Sequence, residues 1–321
     1  MVKAGLVRKV GQFIENVEAQ GGKPLYELTP EEARGVLRGA QDIPVNLPPV
    51  RIENRIITAE SGRKLQLEII RPEKAEGLLP LVYYIHGGGW VMGDNLTHRR
   101  LVAELAVKTP AVMVFPVYEN APEGQFPAVT DDLFAGLKYA AEHGADLGAD
   151  ASRLAVAGDS VGGNMAAVMT LMAKENGFNP KISFQLLLYP VTGVDFETPS
   201  YRDYAEGPWL TKKAMEWFWN QYLPDRKKRR DILAAPVSAD PDDLRGLPPA
   251  LVVSDENDVL RDEGEAYARK LDEAGVDVAS VRFNGTIHDF MLLNGISETA
   301  PTRAAVLLAA SCLRHALSGA D

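Results

Sequence analysis

Leu154-Ala155-Val156-Ala157-Gly158-Asp159-Ser160-Val161-Gly162-Gly163 is the stretch that decides how this chain folds. The run Leu154–Gly158 is short and continuously apolar, as a strand buried on both faces should be. From Val161 to Glu175 the pattern becomes helical. Between them Gly158-Asp159-Ser160-Val161-Gly162 has the G-x-S-x-G form of a strand–turn–helix elbow. The reason is steric: a serine on so sharp a turn needs small residues two positions away on either side. Its hydroxyl then projects from the sheet edge beside a helix N-terminus, whose dipole favours a developing anion. The plainer alternative is a glycine-rich turn with an incidental serine.

Outward from the elbow, strand and helix patterns alternate. Further strands are expected at Arg51–Ala59, Lys64–Arg71, Leu81–Ile85, Val112–Val117, Ser183–Tyr189, Ala250–Ser254 and Val278–Phe283, with helices at Leu101–Lys108, Thr130–Glu142, Glu263–Ala274 and Thr302–Ser318. Early hairpin-like strands followed by β-α repeats predict an α/β fold with a mostly parallel eight-stranded sheet flanked by helices. Before the first strand, Leu6, Val7, Val10, Phe13, Ile14 and Val17 recur at helical spacing. Thr29-Pro30-Glu31-Glu32 supplies an N-cap, a proline at the first helical position and a capping-box glutamate. From Val191 to about Arg230 no strand arrives where one is due. Instead Thr211 opens a helix carrying Met215, Phe218, Trp219 and Tyr222 on one side, which reads as an insertion over the carboxyl edge of the sheet. The basic run Arg226–Arg230 reads as a solvated loop.

Composition narrows the function. A hydrophobic fraction of 46% in 321 residues supports a large core and excludes a disordered chain. With 34 Lys and Arg against 44 Asp and Glu, the net charge of −10 argues against nucleic acid or an anionic membrane as a partner. The single cysteine, Cys312, excludes a disulfide framework and speaks against a cysteine metal site. No apolar run reaches the roughly 18 residues of a spanning helix, and the first twenty residues lack a signal-peptide core. The expectation is a soluble, cytoplasmic protein acting on a small molecule, with a homodimer possible.

A second motif, His86-Gly87-Gly88-Gly89-Trp90, follows the strand Leu81–Ile85. Its glycines leave backbone N–H groups able to approach a substrate oxygen, as the oxyanion of an acyl-transfer intermediate requires. No Gly-Lys-Ser/Thr follows, so it is not a phosphate-binding P-loop. A serine nucleophile needs a base and an orienting acid. Of the five histidines, His86 belongs to the glycine loop, His98 and His143 precede the nucleophile, and His315 lies in the last helix. His288, in a loop after Val278–Phe283, is the natural base. Asp255, Asp258 and Asp262 follow the strand Ala250–Ser254 and are the candidate acids. The chain order is then Ser, Asp, His.

These blocks, His86-Gly87-Gly88-Gly89, Gly158-Asp159-Ser160-Val161-Gly162-Gly163, Asp258-Val259-Leu260-Arg261-Asp262-Glu263 and His288-Asp289-Phe290, resemble the hormone-sensitive-lipase-like branch of the α/β hydrolases, the bacterial family IV carboxylesterases. The resemblance runs from about residue 50 to the C-terminus. It implies Asp258 as the acid, and oxyanion donors at the N–H groups of Gly88, Gly89 and Val161. It also implies a helical cap made from residues 1–45 and 191–230 over a core of residues 46–190 and 231–321. The activity implied is that of a serine carboxylesterase needing no metal or organic cofactor. Trp90, Asp159, Trp209 and Phe218 are expected at the substrate pocket, with Trp90 and Val161 narrowing it toward short- to medium-chain acyl esters. The motifs leave open an amide-cleaving hydrolase of arylformamidase or deacetylase type, and a non-catalytic receptor on the same fold. Where the family pattern has alanine after the nucleophile and glycine after the histidine, this chain has Val161 and Asp289. Its Tyr118-Glu119-Asn120-Ala121-Pro122-Glu123 segment lacks the family's arginine.

Overall fold

The computed structural model describes residues 5–59 and 61–318. The first four residues of the segment 1–45 and the last three of 231–321 therefore lie outside it. All eight strands form: β1 (Val50–Thr58), β2 (Lys64–Pro72), β3 (Leu79–Ile85), β4 (Val112–Val117), β5 (Ala149–Asp159), β6 (Ile182–Leu188), β7 (Ala250–Asn257) and β8 (Val278–Ile287). They make one sheet in the order β1-β2-β4-β3-β5-β6-β7-β8, with β2 antiparallel to both β1 and β4 and all other pairs parallel. Parallel strands need long crossovers, so helices cover both faces and the central strands are apolar throughout. Val82, Tyr83, Val156, Leu187 and Val252 are accordingly inaccessible to solvent.

The helices are α1 (Arg8–Gln20), α2 (Pro30–Gln41), α3 (Arg99–Lys108), α4 (Ala128–Glu142), α5 (Val161–Glu175), the short α6 (Pro199–Asp203), α7 (Lys212–Tyr222), the one-turn α8 (Pro241–Leu244), α9 (Arg261–Glu273) and α10 (Ala300–Leu317). The capping box of α2 closes as its sequence predicts: Glu32 N–H donates to Thr29 Oγ1 at 3.3 Å, and Thr29 N–H to Glu32 Oε2 at 2.8 Å. Strand β5 begins five residues earlier than its apolar run, because Ala149 and Asp150 already pair with Leu79 and Pro80. Strand β8 likewise runs on to Ile287, the residue before His288.

The basic run is solvated as expected at every residue but Arg229. Arg226–Arg230 is a 3₁₀ turn, and Arg229 is buried. Its guanidinium donates to the Leu223 carbonyl at 2.8 Å and to Asn220 Oδ1 at 2.7 Å, and lies over the Trp219 ring. A lone buried guanidinium satisfied by the end of α7 leaves no charge signature in the sequence.

Helix α2 is fastened to the loops that follow β3, β4 and β8. Arg34 donates to the carbonyls of Val91 and Ala121 and pairs with Glu123, while Arg38 pairs with Asp94. Gln41 donates to the carbonyls of Thr97 and Leu292 and accepts from Asn294 N–H. The segment that lacks the family's arginine thus meets a guanidinium brought from elsewhere in the chain.

Candidate active site

Ser160 sits between β5 and α5 with φ 55° and ψ −121°, a left-handed backbone that a serine holds only under constraint. Its own N–H donates to the Leu188 carbonyl of β6 at 2.8 Å. The flanking glycines are required by contact. A Cβ on Gly158 would fall on the Gly162 carbonyl, and one on Gly162 would fall on the Ile85 carbonyl of β3. The elbow is therefore wedged between two neighbouring strands at the point where the sheet order reverses, the usual place for a site in an open α/β sheet.

Three loops converge on the serine. His288 Nε2 lies 2.9 Å from Ser160 Oγ, and His288 Nδ1 lies 2.7 Å from Asp258 Oδ2. Asp258 Oδ1 also accepts the Leu260 N–H at 3.0 Å. This arrangement sets the tautomer: Nδ1 carries the proton toward Asp258, leaving Nε2 to accept one from the serine. Burial alone would push the imidazole down; the carboxylates of Asp258 and Asp289 outweigh it and raise His288 to about 9.

Gly88 and Gly89 border the same cavity as Ser160. Both have positive φ, and a Cβ on Gly89 would collide with the Phe218 ring. Among the described residues, no turn or loop hydrogen bond to backbone uses the N–H of Gly88, Gly89 or Val161. Val161 is the first residue of α5, where a helix has free donors by construction. The Val161 side chain is fully buried and is not part of the cavity wall, so it does not narrow the pocket.

The cavity over Ser160 has a volume of about 290 Å³. Its apolar wall comes largely from Ile14 and Val17 of α1, Leu37 of α2, Trp209, and Met215 and Phe218 of α7. Two of the four residues expected at the pocket, Trp209 and Phe218, line it; Trp90 and Asp159 do not. Trp90 is turned inward at φ 61° and stacks on Tyr222 with centroids 4.2 Å apart, edge-on to Trp219 at 4.7 Å. Half of the α7 aromatic stripe thus faces Trp90, and the other half faces the cavity.

Asp159 points beneath the elbow instead. It accepts from the Tyr84 hydroxyl at 2.7 Å and pairs with His98 Nε2 at 3.1 Å, all three being fully buried. Burial would push Asp159 up and His98 down; each partner's charge outweighs that, so the carboxylate is lowered and the imidazole raised. His86, stacked on Tyr118, is pushed down to about 3 by burial and by the nearby His98. Chain order set His98 aside as a base, and nothing in its spacing announces a partner at residue 159.

Asp289, in the position of the family's glycine, is a buried part of the cavity wall with φ 65°. Its Oδ1 lies 3.6 Å from His288 Nε2, and its Oδ2 accepts the Trp209 indole N–H at 2.9 Å. Burial raises its carboxyl above the usual range, against the pull of His288 and Trp209.

A serine, an aspartate and a histidine in this chain order, at the carboxyl edge of an eight-stranded α/β sheet, define a site of the serine-hydrolase type. Residues 82–292 match a family described by the α/β hydrolase fold. The chain is 48% identical to a thermostable esterase from Pseudomonas putida, covering 98% of this chain and 99% of the other, and the two structures superpose with a TM-score of 0.96. It is 38% identical over 262 residues to carboxylesterase NlhH of Mycobacterium tuberculosis, spanning 81% and 82% of the two chains. An ethyl acetate hydrolase of Pseudomonas putida is 33% identical over 303 residues, 90% and 92% of the two. The chain belongs to the α/β hydrolases, in their hormone-sensitive-lipase-like branch. Among its described residues no helix is long and apolar enough to cross a membrane.

Proposed function

We propose that the protein hydrolyses short- to medium-chain carboxylic esters, with Ser160 as nucleophile, His288 as general base and Asp258 as orienting acid. That it is a serine hydrolase of the carboxylesterase type follows from its relatives. The observation that carries the residue roles is the line of contacts from Ser160 through His288 to Asp258, at 2.9 and 2.7 Å, below an apolar cavity.

Ser160 Oγ attacks the ester carbonyl carbon as its proton passes to His288 Nε2. The carbonyl oxygen becomes an oxyanion against the N–H groups of Gly88, Gly89 and Val161, in a site where such donors act with little competition from water. Collapse of the tetrahedral intermediate breaks the bond to the alcohol, which leaves with the proton held by His288. Water then attacks the acyl-enzyme, its proton going to His288 and on to Ser160 as the acid departs. Asp258 stabilises the imidazolium in both halves and stays ionised.

In this proposal residues 1–45 and 191–230 serve as the cap, since α1, α2 and α7 supply most of the apolar wall. At about 290 Å³ the cavity sits at the lower end of the roughly 300–1,000 Å³ that hold drug-sized ligands, which favours a short acyl group. A series of p-nitrophenyl esters from acetyl to dodecanoyl, with one matched anilide, tests the reading. We expect kcat/KM to peak at butyryl or hexanoyl, the anilide to be poor, and Ser160→Ala to lose about 10⁶-fold in kcat while remaining folded. A dodecanoyl optimum would remove the chain-length assignment. Turnover by a folded Ser160→Ala protein would remove the mechanism.

A further inference from the structure

We propose that Asp255 is a fourth member of the line behind Ser160: a neutral carboxylic acid that donates a hydrogen bond to Asp258 and so positions the residue that orients His288. This rests on the triad reading above.

Asp255 lies near the end of β7, where regular pairing breaks. It is matched to Phe283 and Asn257 is matched to Ile287, two steps on one strand against four on the other. Such irregularities re-aim side chains near active sites. Asp255 is fully buried, and one ligand atom from each of Asp255, Asp258 and His288 lies within 4.8 Å of the other two. Among the described residues, neither carboxyl oxygen of Asp255 receives a hydrogen bond. The neighbouring Thr286 hydroxyl gives its one proton to the Phe283 carbonyl at 2.6 Å. An ionised carboxylate buried without any donor is strongly disfavoured, and two carboxylates this close do not both ionise.

One of the two must hold a proton, and the donors around them decide which. Asp258 receives the Leu260 N–H and the His288 Nδ1–H, so the negative charge is stabilised there. Asp255 has only the Thr286 hydroxyl beside it, whose one proton is committed to the Phe283 carbonyl, so the proton stays with Asp255, within 4.8 Å of the Asp258 carboxylate. Burial, and then the charges of Asp258 and Asp289, push the Asp255 carboxyl well above its ordinary range. The other titratable groups around this cluster are His288 and Asp289 after β8, Tyr189 after β6, Asp159 in the elbow, and Tyr201 of α6 and Glu263 of α9, which both feel the charge of Asp258; burial raises Glu263 to about 8. No proton leaves Asp255 during turnover. Its role is to fix the Asp258 rotamer and to draw charge away from the oxygen pair that faces the imidazole.

The sign of a pH shift tests this. Profiles of kcat/KM against pH for p-nitrophenyl butyrate are measured for the wild type, Asp255→Asn, Asp255→Ala and Asp258→Asn. If Asp255 is a neutral donor, Asp255→Ala leaves Asp258 more basic. The acidic limb, set by His288, then moves to higher pH, and kcat falls by about tenfold, the scale of one lost charge-assisted hydrogen bond. Asp255→Asn keeps a neutral donor, so it recovers most of that loss and leaves the limb in place. If Asp255 is an ionised carboxylate, both substitutions remove a negative charge and both limbs move to lower pH, which overturns the proposal. Should Asp255→Ala not fold, infrared difference spectra of the wild type and Asp255→Asn decide. Loss of a carboxylic-acid C=O band in the variant supports the proposal, and its retention overturns it. A failure of the triad reading looks different: Asp255→Asn, rather than Asp258→Asn, would then show the drop of about 10⁴-fold.

Discussion

Two buried aspartate–histidine pairs flank Ser160, and only one of them can do chemistry. In the Asp258–His288 pair the second ring nitrogen faces Ser160 at 2.9 Å on the edge of the cavity. In the Asp159–His98 pair the second nitrogen is already engaged, 2.9 Å from Thr97 Oγ1 and 3.2 Å from the Asp94 carbonyl. The carboxylates are held differently too: Asp159 takes the Tyr84 hydroxyl besides its histidine, whereas Asp258 takes the Leu260 backbone N–H. A histidine with both nitrogens committed to the fold holds a loop in place. One with a nitrogen turned to a reacting hydroxyl can move a proton. Residue type is identical in the two pairs, so catalytic competence here is a property of what the outer nitrogen meets.

The sharpest way to break that contrast is Asp258→Asn, which should lower kcat by about 10⁴-fold while moving the thermal midpoint little, because an amide can still fill the site but orients the wrong tautomer. Kinetics and a thermal melt on the same preparation check both halves. Next in size, His98→Leu should leave Asp159 as an uncompensated buried charge and cost about 3–5 kcal/mol of unfolding free energy. Chemical denaturation measures it, and the protein that remains folded should keep its acidic limb where the wild type has it. A stability loss below about 1 kcal/mol would mean the second pair is not a structural ion pair.

The smallest of the three effects concerns Asp289. The proposed base His288 acts in its neutral form, so kcat/KM should fall as pH drops through about 9. Removing the Asp289 charge disfavours the imidazolium, so Asp289→Asn should move that limb to lower pH. At 3.6 Å and an effective dielectric of about 20–80, the interaction is roughly 1–5 kcal/mol, or about 1–3 pKa units. Superimposable profiles for the two proteins would show that the Asp289 carboxyl, raised by burial, carries no charge where His288 titrates.

The parts of this molecule that were readable from sequence are those whose constraint is local. Gly158 had to be glycine because it faces the Gly162 carbonyl of its own turn, and Gly162 because the elbow holds it against the Ile85 carbonyl of β3; such constraints recur as a motif. The central strands β3, β4 and β7 were readable because burial on both faces forces apolar runs, which the largely exposed edge strands β1 and β8 lack. What escaped depends on contacts between distant segments. Trp90 follows the glycine loop, and only the arrival of Trp219 and Tyr222 more than a hundred residues later turns it away from the pocket. Asp255 and Asp258 are separated by two residues, yet their proximity to each other and to His288 depends on the irregular pairing of β7 with β8. Arg229 sat in a run of five basic residues and could be told from its neighbours only by the Leu223 carbonyl that it meets.

Helix α2 offers a consequence for remodelling the pocket. Its Val36 and Leu37 form one wall, and on the same helix Arg34 grips the carbonyl of Val91, two residues past Gly89. Pushing that wall outward to admit a bulkier ester would therefore drag on the peptide units proposed to meet the oxyanion, and extra room would be gained at the expense of rate. The wall where Met215 and Phe218 project from α7 is tied to the glycine loop as well, through Phe218 against Gly89 and through Trp219 and Tyr222 packed on Trp90. Engineering for larger acyl groups is best begun by trimming Met215 alone, which lines the cavity and leaves Phe218, Trp219 and Tyr222 to hold the glycine loop.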